Sequence, residues 1–224
     1  MEVIKLENVS KIYGTKVKVV ALDNISFSIE EGEFTSIIGP SGSGKTTLLT
    51  LMGTLAKPTY GKIYVYGKDV TTLNDDELSK IRNSYIGFVF QSYNLIERLP
   101  AVENVELPLV ARGLSKRERR EKALDVLTRL GLGELAYKKP TELSGGQQQR
   151  VAIARALVQE PKLILADEPT ANLDTKSGEV VLETFMRANK DFGTTVVIIT
   201  HDPDVASLTR KKIHIRDGKI EKIE

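Results

Sequence analysis

Gly39-Pro40-Ser41-Gly42-Ser43-Gly44-Lys45-Thr46 fits the pattern G-x-x-x-x-G-K-[ST], and its surroundings decide the fold. The apolar run Phe-Thr-Ser-Ile-Ile, residues 34–38, precedes it, and Leu48, Leu49 and Met52 follow it at helical spacing. A strand, a glycine-rich loop and a helix in that order let backbone N–H groups close on phosphate oxygens, and the helix N-terminus adds partial positive charge. Glycines keep side chains out of such a cradle. Lys45 is then the cation for the outer phosphates, Thr46 offers a hydroxyl to Mg2+, and Thr47 ends the loop. The plainer alternative is an ordinary turn between strand and helix; the Lys45-Thr46 pair and both flanking elements weigh against it.

Two more apolar runs, residues 163–166 and 195–199, are nearly continuous in the manner of strands buried on both faces of a parallel sheet. Sites in such sheets lie at the carboxyl ends of the strands. Residues 163–166 run into Asp167 and Glu168, and two carboxylates at a buried strand end need cations or donors to meet them. Neighbours on a strand point to opposite sides, which assigns them different tasks. Asp167 is the metal-side residue, and Glu168 orients or deprotonates an attacking water. Alone, an Asp-Glu strand end could simply pair with Lys or Arg; beside a phosphate loop it gains meaning.

Further out, residues 3–6, 17–21 and 25–29 read as antiparallel strands, with Glu31-Gly32 as a turn. Between Leu73 and Glu160 the period becomes helical: Ala123, Val126, Leu127 and Leu130 share one face. The charge run at 116–122 is the solvated face of that helix, with Glu118 four residues before Lys122. Residues 212–215 and 219–223 around Asp217-Gly218 form a hairpin.

The chain of 224 residues is long enough to bury a core of its own. Its 32 Lys+Arg against 30 Asp+Glu leave a net charge of +2, which argues against a nucleic-acid partner. With no cysteine, disulfides and thiolate metal sites are excluded and a reducing compartment is permitted. The N-terminus lacks the apolar stretch of a secretory signal, and no apolar run approaches the ~20 residues of a membrane helix. If the protein works at a membrane, another chain spans it.

A third motif is Leu143-Ser144-Gly145-Gly146-Gln147-Gln148-Gln149-Arg150, followed by residues of helical character. Ser144 suits an N-cap, and Gly145 and Gly146 leave backbone N–H groups open behind it. On spacing alone a capped helix is favoured over a second phosphate site. The set of motifs, however, resembles the nucleotide-binding domains of ATP-binding-cassette proteins, whose Leu-Ser-Gly-Gly-Gln signature stands unchanged at residues 143–147. The resemblance covers essentially the whole chain. It implies an α/β P-loop NTPase fold with a mixed, mainly parallel core sheet, an N-terminal antiparallel β region and a helical subdomain. Residues 1–90 and 159–224 then form a RecA-like core with the β region, and about 91–158 the helical subdomain.

The resemblance further implies ATP hydrolysis with Mg2+ in a homodimer whose signature residues, Ser144, Gly145, Gly146 and Gln147, complete the other copy's site. It gives Tyr13 the adenine-stacking role, Gln91 that of a metal- and water-sensing residue, His201 a γ-phosphate contact, and Asp174 a place in the loop linking the two sites. Ala171 departs from the Ser or Gly usual at the head of that loop. His214 has no motif around it and is structural. Residues 86–96 and 103–109 are similar to the lipoprotein-release and macrolide-efflux ATPases, peripheral proteins on the cytoplasmic face of the membrane that drive a separate permease. Residues 91–113 are the expected permease-docking surface, and no C-terminal regulatory domain is expected.

Three alternatives are set against this. A soluble cassette ATPase uncoupled from transport, of DNA-repair, translation or cell-division type, is the first; those of DNA repair or translation usually carry a long coiled-coil insertion or two cassettes, and neither is visible. A P-loop small-molecule kinase lacks residues 143–147 of the signature. A module that holds ATP without turnover loses Glu168 or His201, and both are present.

Overall fold

The computed structural model describes all residues, 1–224. Ten strands and seven α-helices form two sheets with helices packed between and around them. The N-terminal sheet is antiparallel, in the order β2-β1-β4-β5, from β1 (Glu2–Tyr13), β2 (Val19–Glu30), β4 (Tyr60–Val65) and β5 (Lys68–Asp69). The second sheet runs β10-β9-β3-β8-β7-β6 and comprises β3 (Phe34–Ile38), β6 (Ile86–Val89), β7 (Leu163–Asp167), β8 (Thr195–Thr200), β9 (Lys211–Arg216) and β10 (Lys219–Ile223). All its neighbours are parallel except the β9–β10 hairpin, whose turn carries Asp217 and Gly218 at φ 46° and 75°. Two left-handed residues are what a tight two-residue hairpin requires.

The three nearly continuous apolar runs are the central strands β3, β7 and β8, and every residue of β8 is buried. Residues 17–29 hold one strand rather than two. The break expected between them is a bulge: the register slips between Val9/Ile25 and Lys11/Leu22, with Asn24 at φ 54°. Asparagine tolerates that conformation, and the extra residue bends the strand without ending it.

The helices are α1 (Lys45–Met52), α2 (Asp75–Tyr85), α3 (Ala101–Ala111), α4 (Lys116–Arg129), α5 (Gly145–Leu157), α6 (Thr175–Phe192) and α7 (Pro203–Ser207). On α4, Ala123, Val126 and Leu127 are buried as their spacing predicts, and Leu130 follows them at its C-cap. Glu118 does not pair with Lys122. It closes a capping box with Ser115, and Lys122 reaches Glu160 at 3.0 Å instead. At a helix start the open backbone donors compete for a carboxylate more directly than an exposed lysine does.

Two apolar clusters lie on opposite faces of the six-stranded sheet. One unites the antiparallel sheet, α1 and α2 with Ile37, Leu165, Val197 and Ile199. The other unites α3, α4, α5 and α6 with Phe34, Ile164, Ala166, Val196 and Ile198. The helical stretch therefore shares its core with the sheet, and alternate residues of one strand serve opposite clusters.

Candidate functional site

The parallel register places four strand ends level with one another. Ile38 pairs with Thr200, Ile199 with Asp167, and Ala166 with Val89. The residues that follow, Gly39, His201, Glu168 and, two beyond Val89, Gln91, therefore leave the sheet along one edge. There they border a cleft of about 650 Å³ lined by Pro40, Ser41, Gly42, Gly44, Lys45, Thr46 and Thr47 of the loop, together with Gln91, Asp167, Glu168 and His201. Val19, Val20 and Ala21 of β2 also line it, and nothing in an apolar strand run marked them in the sequence.

Glycine is required in the loop for a reason beyond open N–H groups. A Cβ at Gly39 would lie 2.1 Å from the Ile215 carbonyl oxygen of β9, and one at Gly44, at φ 100°, would lie 2.5 Å from that of Ala21 on β2. Both sheets press on the loop. The hairpin turn braces it from behind, where the Gly218 N–H donates to the Ser43 carbonyl at 3.0 Å. Gly39 and Ser43 thus belong to the wall of the loop and do not line the cleft.

Lys45 is buried and folded back, its ammonium donating to the carbonyls of Gly39 at 2.7 Å and Pro40 at 2.8 Å. The Thr46 hydroxyl donates to Oδ2 of Asp167 at 3.4 Å. Burial holds the Asp167 carboxyl above the usual range, with adjacent Glu168 adding to the rise and Thr46 and Lys45 opposing it. A threonine hydroxyl and a carboxylate short of positive charge are hard oxygen donors, the set that suits Mg2+ beside phosphates.

Glu168 leaves the strand at φ 45°, so strand alternation does not govern it. The left-handed turn brings both carboxylates to the same cleft, against the expectation of opposite sides. Glu168 Oε1 lies 2.7 Å from His201 Nδ1, and Oε2 accepts from the Thr200 hydroxyl at 3.3 Å. Thr200 had no signal of its own in the sequence. Gln91 donates from Nε2 to Asn172 at 3.3 Å, and Asn172 returns a bond to the Gln91 carbonyl.

The remaining predicted residues lie outside this cleft. Tyr13 ends β1, 45% exposed, with the Lys11 ammonium 5.1 Å from its ring centroid. Asp174 caps α6, accepting from the Ser177 amide at 3.0 Å and hydroxyl at 2.7 Å, bonds that hold its carboxyl below the usual range. Ser144 caps α5 in a capping box with Gln147. The cap favoured by spacing is therefore present, and it leaves Gly145 and Gly146 in the first turn with their amides toward the helix start.

A cradle at a helix N-terminus, an adjacent lysine and paired carboxylates at level strand ends define a nucleoside-triphosphate-binding ATPase. Residues 22–171 match the ABC transporter family, and the chain belongs to it. It is 47% identical over 220 residues to the lipoprotein-releasing system ATP-binding protein LolD of Aquifex aeolicus, covering 98% of this chain and 96% of that protein. It is 48% identical over 224 residues to the macrolide export ATP-binding/permease protein MacB of Syntrophobacter fumaroxidans, covering 99% of this chain but 31% of that longer protein. A dimeric structure of the post-hydrolysis state of the ATP-binding cassette MJ0796, bound to ADP and Pi, superposes with a TM-score of 0.90 at 49% identity, covering 99% of this chain and 97% of that one. The likeness to lipoprotein-release and macrolide-export ATPases read from residues 86–96 and 103–109 is thus found along the whole chain. No helix is long and apolar enough to cross a membrane.

Proposed function

We propose that two copies of this chain clamp two ATP molecules head to tail, that hydrolysis releases the clamp, and that a separate permease of the lipoprotein- or macrolide-export type uses the stroke from the cytoplasmic face of the membrane. The observation that carries this is the division of the motifs. Lys45, Gln91, Asp167, Glu168 and His201 meet at one cleft, while Ser144 and its two glycines stand outside it at an open helix start. A helix start with free amides binds anions, and the γ-phosphate of the nucleotide on the second copy supplies one. That the MJ0796 cassette is dimeric with ADP and Pi bound supports an assembly of two copies.

On binding, Lys45 exchanges the Gly39 and Pro40 carbonyls for phosphate oxygens, and the loop amides hold the rest. Bound at Thr46 and Asp167, with Gln91 nearby, Mg2+ would neutralise charge on the outer phosphates. Glu168, fixed by His201 and Thr200, accepts a proton from the attacking water, and His201 also faces the γ-phosphate. Tyr13 offers adenine the ring face that Lys11 does not cover, Asp174 sets the start of α6 at the dimer contact, and the partner's Ser144, Gly145, Gly146 and Gln147 close over the phosphoryl group.

Residues 91–113 are the docking surface in this account. Stacked Phe88 and Phe90 lead into them, and Val110 is 52% exposed at the end of α3. Phosphate release by the purified chain tests the catalytic reading: specific activity that rises with chain concentration supports a shared site, and activity strictly proportional to concentration opposes it. Crosslinks from residues 91–113 to a co-purified membrane protein test the docking surface.

A further inference from the structure

Helix α5 holds two side chains that leave it to grip other segments of the site. Gln149 is fully buried and donates from Nε2 to the carbonyls of Pro169 at 2.9 Å and Phe90 at 3.4 Å. Pro169 follows Glu168 directly, and Phe90 directly precedes Gln91. Less than two turns further along, Arg155 donates from Nη2 to the Tyr93 carbonyl at 2.8 Å and from Nη1 to that of Asn94. Tyr93 and Asn94 are consecutive non-glycine residues at φ 58° and 51°. Such backbone is unfavourable unless its surroundings hold it, and a guanidinium fork on both carbonyls does so. The Tyr93 hydroxyl, in turn, lies 3.0 Å from where a Cβ on Gly145 would be, against the first turn of the same helix.

We propose that Gln149 and Arg155 are positioning residues that tie the exposed start of α5 to the Gln91 loop and the Glu168 turn of their own chain. The Ser144 end that each copy offers its partner is thereby set by the nucleotide state of its own cleft. This rests on the head-to-tail reading above. The amide of Gln149 has two hydrogens, and two segments from different strand ends take one each. If either segment moved without α5, a buried carbonyl would lose its donor, which is costly where water cannot replace it. The three elements therefore shift together. Oε1 of Gln149 is buried without a partner, so the residue is held in place by its donors alone.

The test uses Glu168→Gln protein with Mg2+ and ATP. Into it are placed Gln149→Met, which keeps the volume and removes the donors, and separately Arg155→Met and Arg155→Lys. Dimerisation is read by analytical ultracentrifugation, ATP affinity of the monomer by calorimetry, and amide hydrogen exchange at residues 91–95 by mass spectrometry. The expected result is ATP affinity within about twofold of the parent, dimerisation weakened about tenfold or more in the two Met variants, and faster exchange at 91–95. Arg155→Lys, with its charge kept, falls between. Dimerisation and exchange equal to the parent's overturn the proposal. So does a loss of dimer no greater than the loss of ATP affinity, since the two side chains would then serve only the core. A Glu168→Gln parent that stays monomeric contradicts the head-to-tail reading instead, and exchange at 91–95 still decides the tie within the chain.

Discussion

Nδ1 of His201 stands 2.7 Å from Oε1 of Glu168, although the two residues leave different strands 33 positions apart. The ring is 67% exposed, and contacts of that kind contribute little to stability. In the proposed reaction its effect is on aim: a carboxylate held at Oε1 by imidazole and at Oε2 by Thr200 is restrained from turning away from the attacking water. His201→Ala is expected to lower kcat about 10²-fold, as loss of one positioned catalytic contact does, with a smaller change in KM and a melting temperature near the parent's. Steady-state kinetics with a thermal scan check this; a kcat within a factor of about two of the parent counts against it.

The Lys45 ammonium donates to two loop carbonyls. Lys45→Ala removes a charge-assisted contact to the nucleotide, with an expected loss of about 2–3 kcal/mol, roughly 30–150-fold in ATP affinity by calorimetry. Because the ammonium also braces the loop through these two bonds, the melting temperature of the nucleotide-free protein should fall as well.

Gly39 is pressed on β9 so closely that even a methyl group meets the Ile215 carbonyl. Gly39→Ala should force loop and strand apart, destabilising the protein by about 1–3 kcal/mol as overpacking does and weakening ATP binding. Gly42→Ala, where a Cβ would meet nothing but the φ of 78° is unfavourable, should cost less in thermal unfolding.

The Asp167 carboxyl titrates above its ordinary 3.8 because burial disfavours its charge. An acid whose pKa is raised by folding binds more protons folded than unfolded, so its contribution to stability falls as pH rises from the unfolded value through the folded one. At neutral pH, nucleotide-free Asp167→Asn should therefore melt higher than the parent, by roughly 2–4 °C if about 1 kcal/mol is recovered. The difference should shrink as pH is lowered toward the carboxylate range. With Mg2+ and ATP the order should reverse, because the parent alone keeps the carboxylate for the metal. Calorimetric scans across pH, with and without nucleotide, check both signs.

Where residues 34–38, 163–166 and 195–199 are concerned, continuous apolarity marked the strands because both faces of the sheet are covered. Ile86–Val89 and Tyr60–Val65 went unread: the first has four residues with Gly87 among them, and the second opens on three exposed ones. The loop, both carboxylates and the signature were legible because each needs a fixed local string. Glu168 was misplaced only in direction, since nothing in the string announces a left-handed residue after the strand. Gln149 was not legible at all. Its partners lie 59 and 20 positions away, and a glutamine among three glutamines has no pattern to betray that it is buried.

In the proposed function one copy holds half of each working site. Static light scattering of Glu168→Gln with Mg2+ and ATP tests it most directly. The prediction is a particle of twice the 24.8 kDa chain mass that reverts to monomer with ADP or when Lys45→Ala is added. A particle of single-chain mass at saturating ATP, with phosphate release by the unmodified chain still normal, would contradict it.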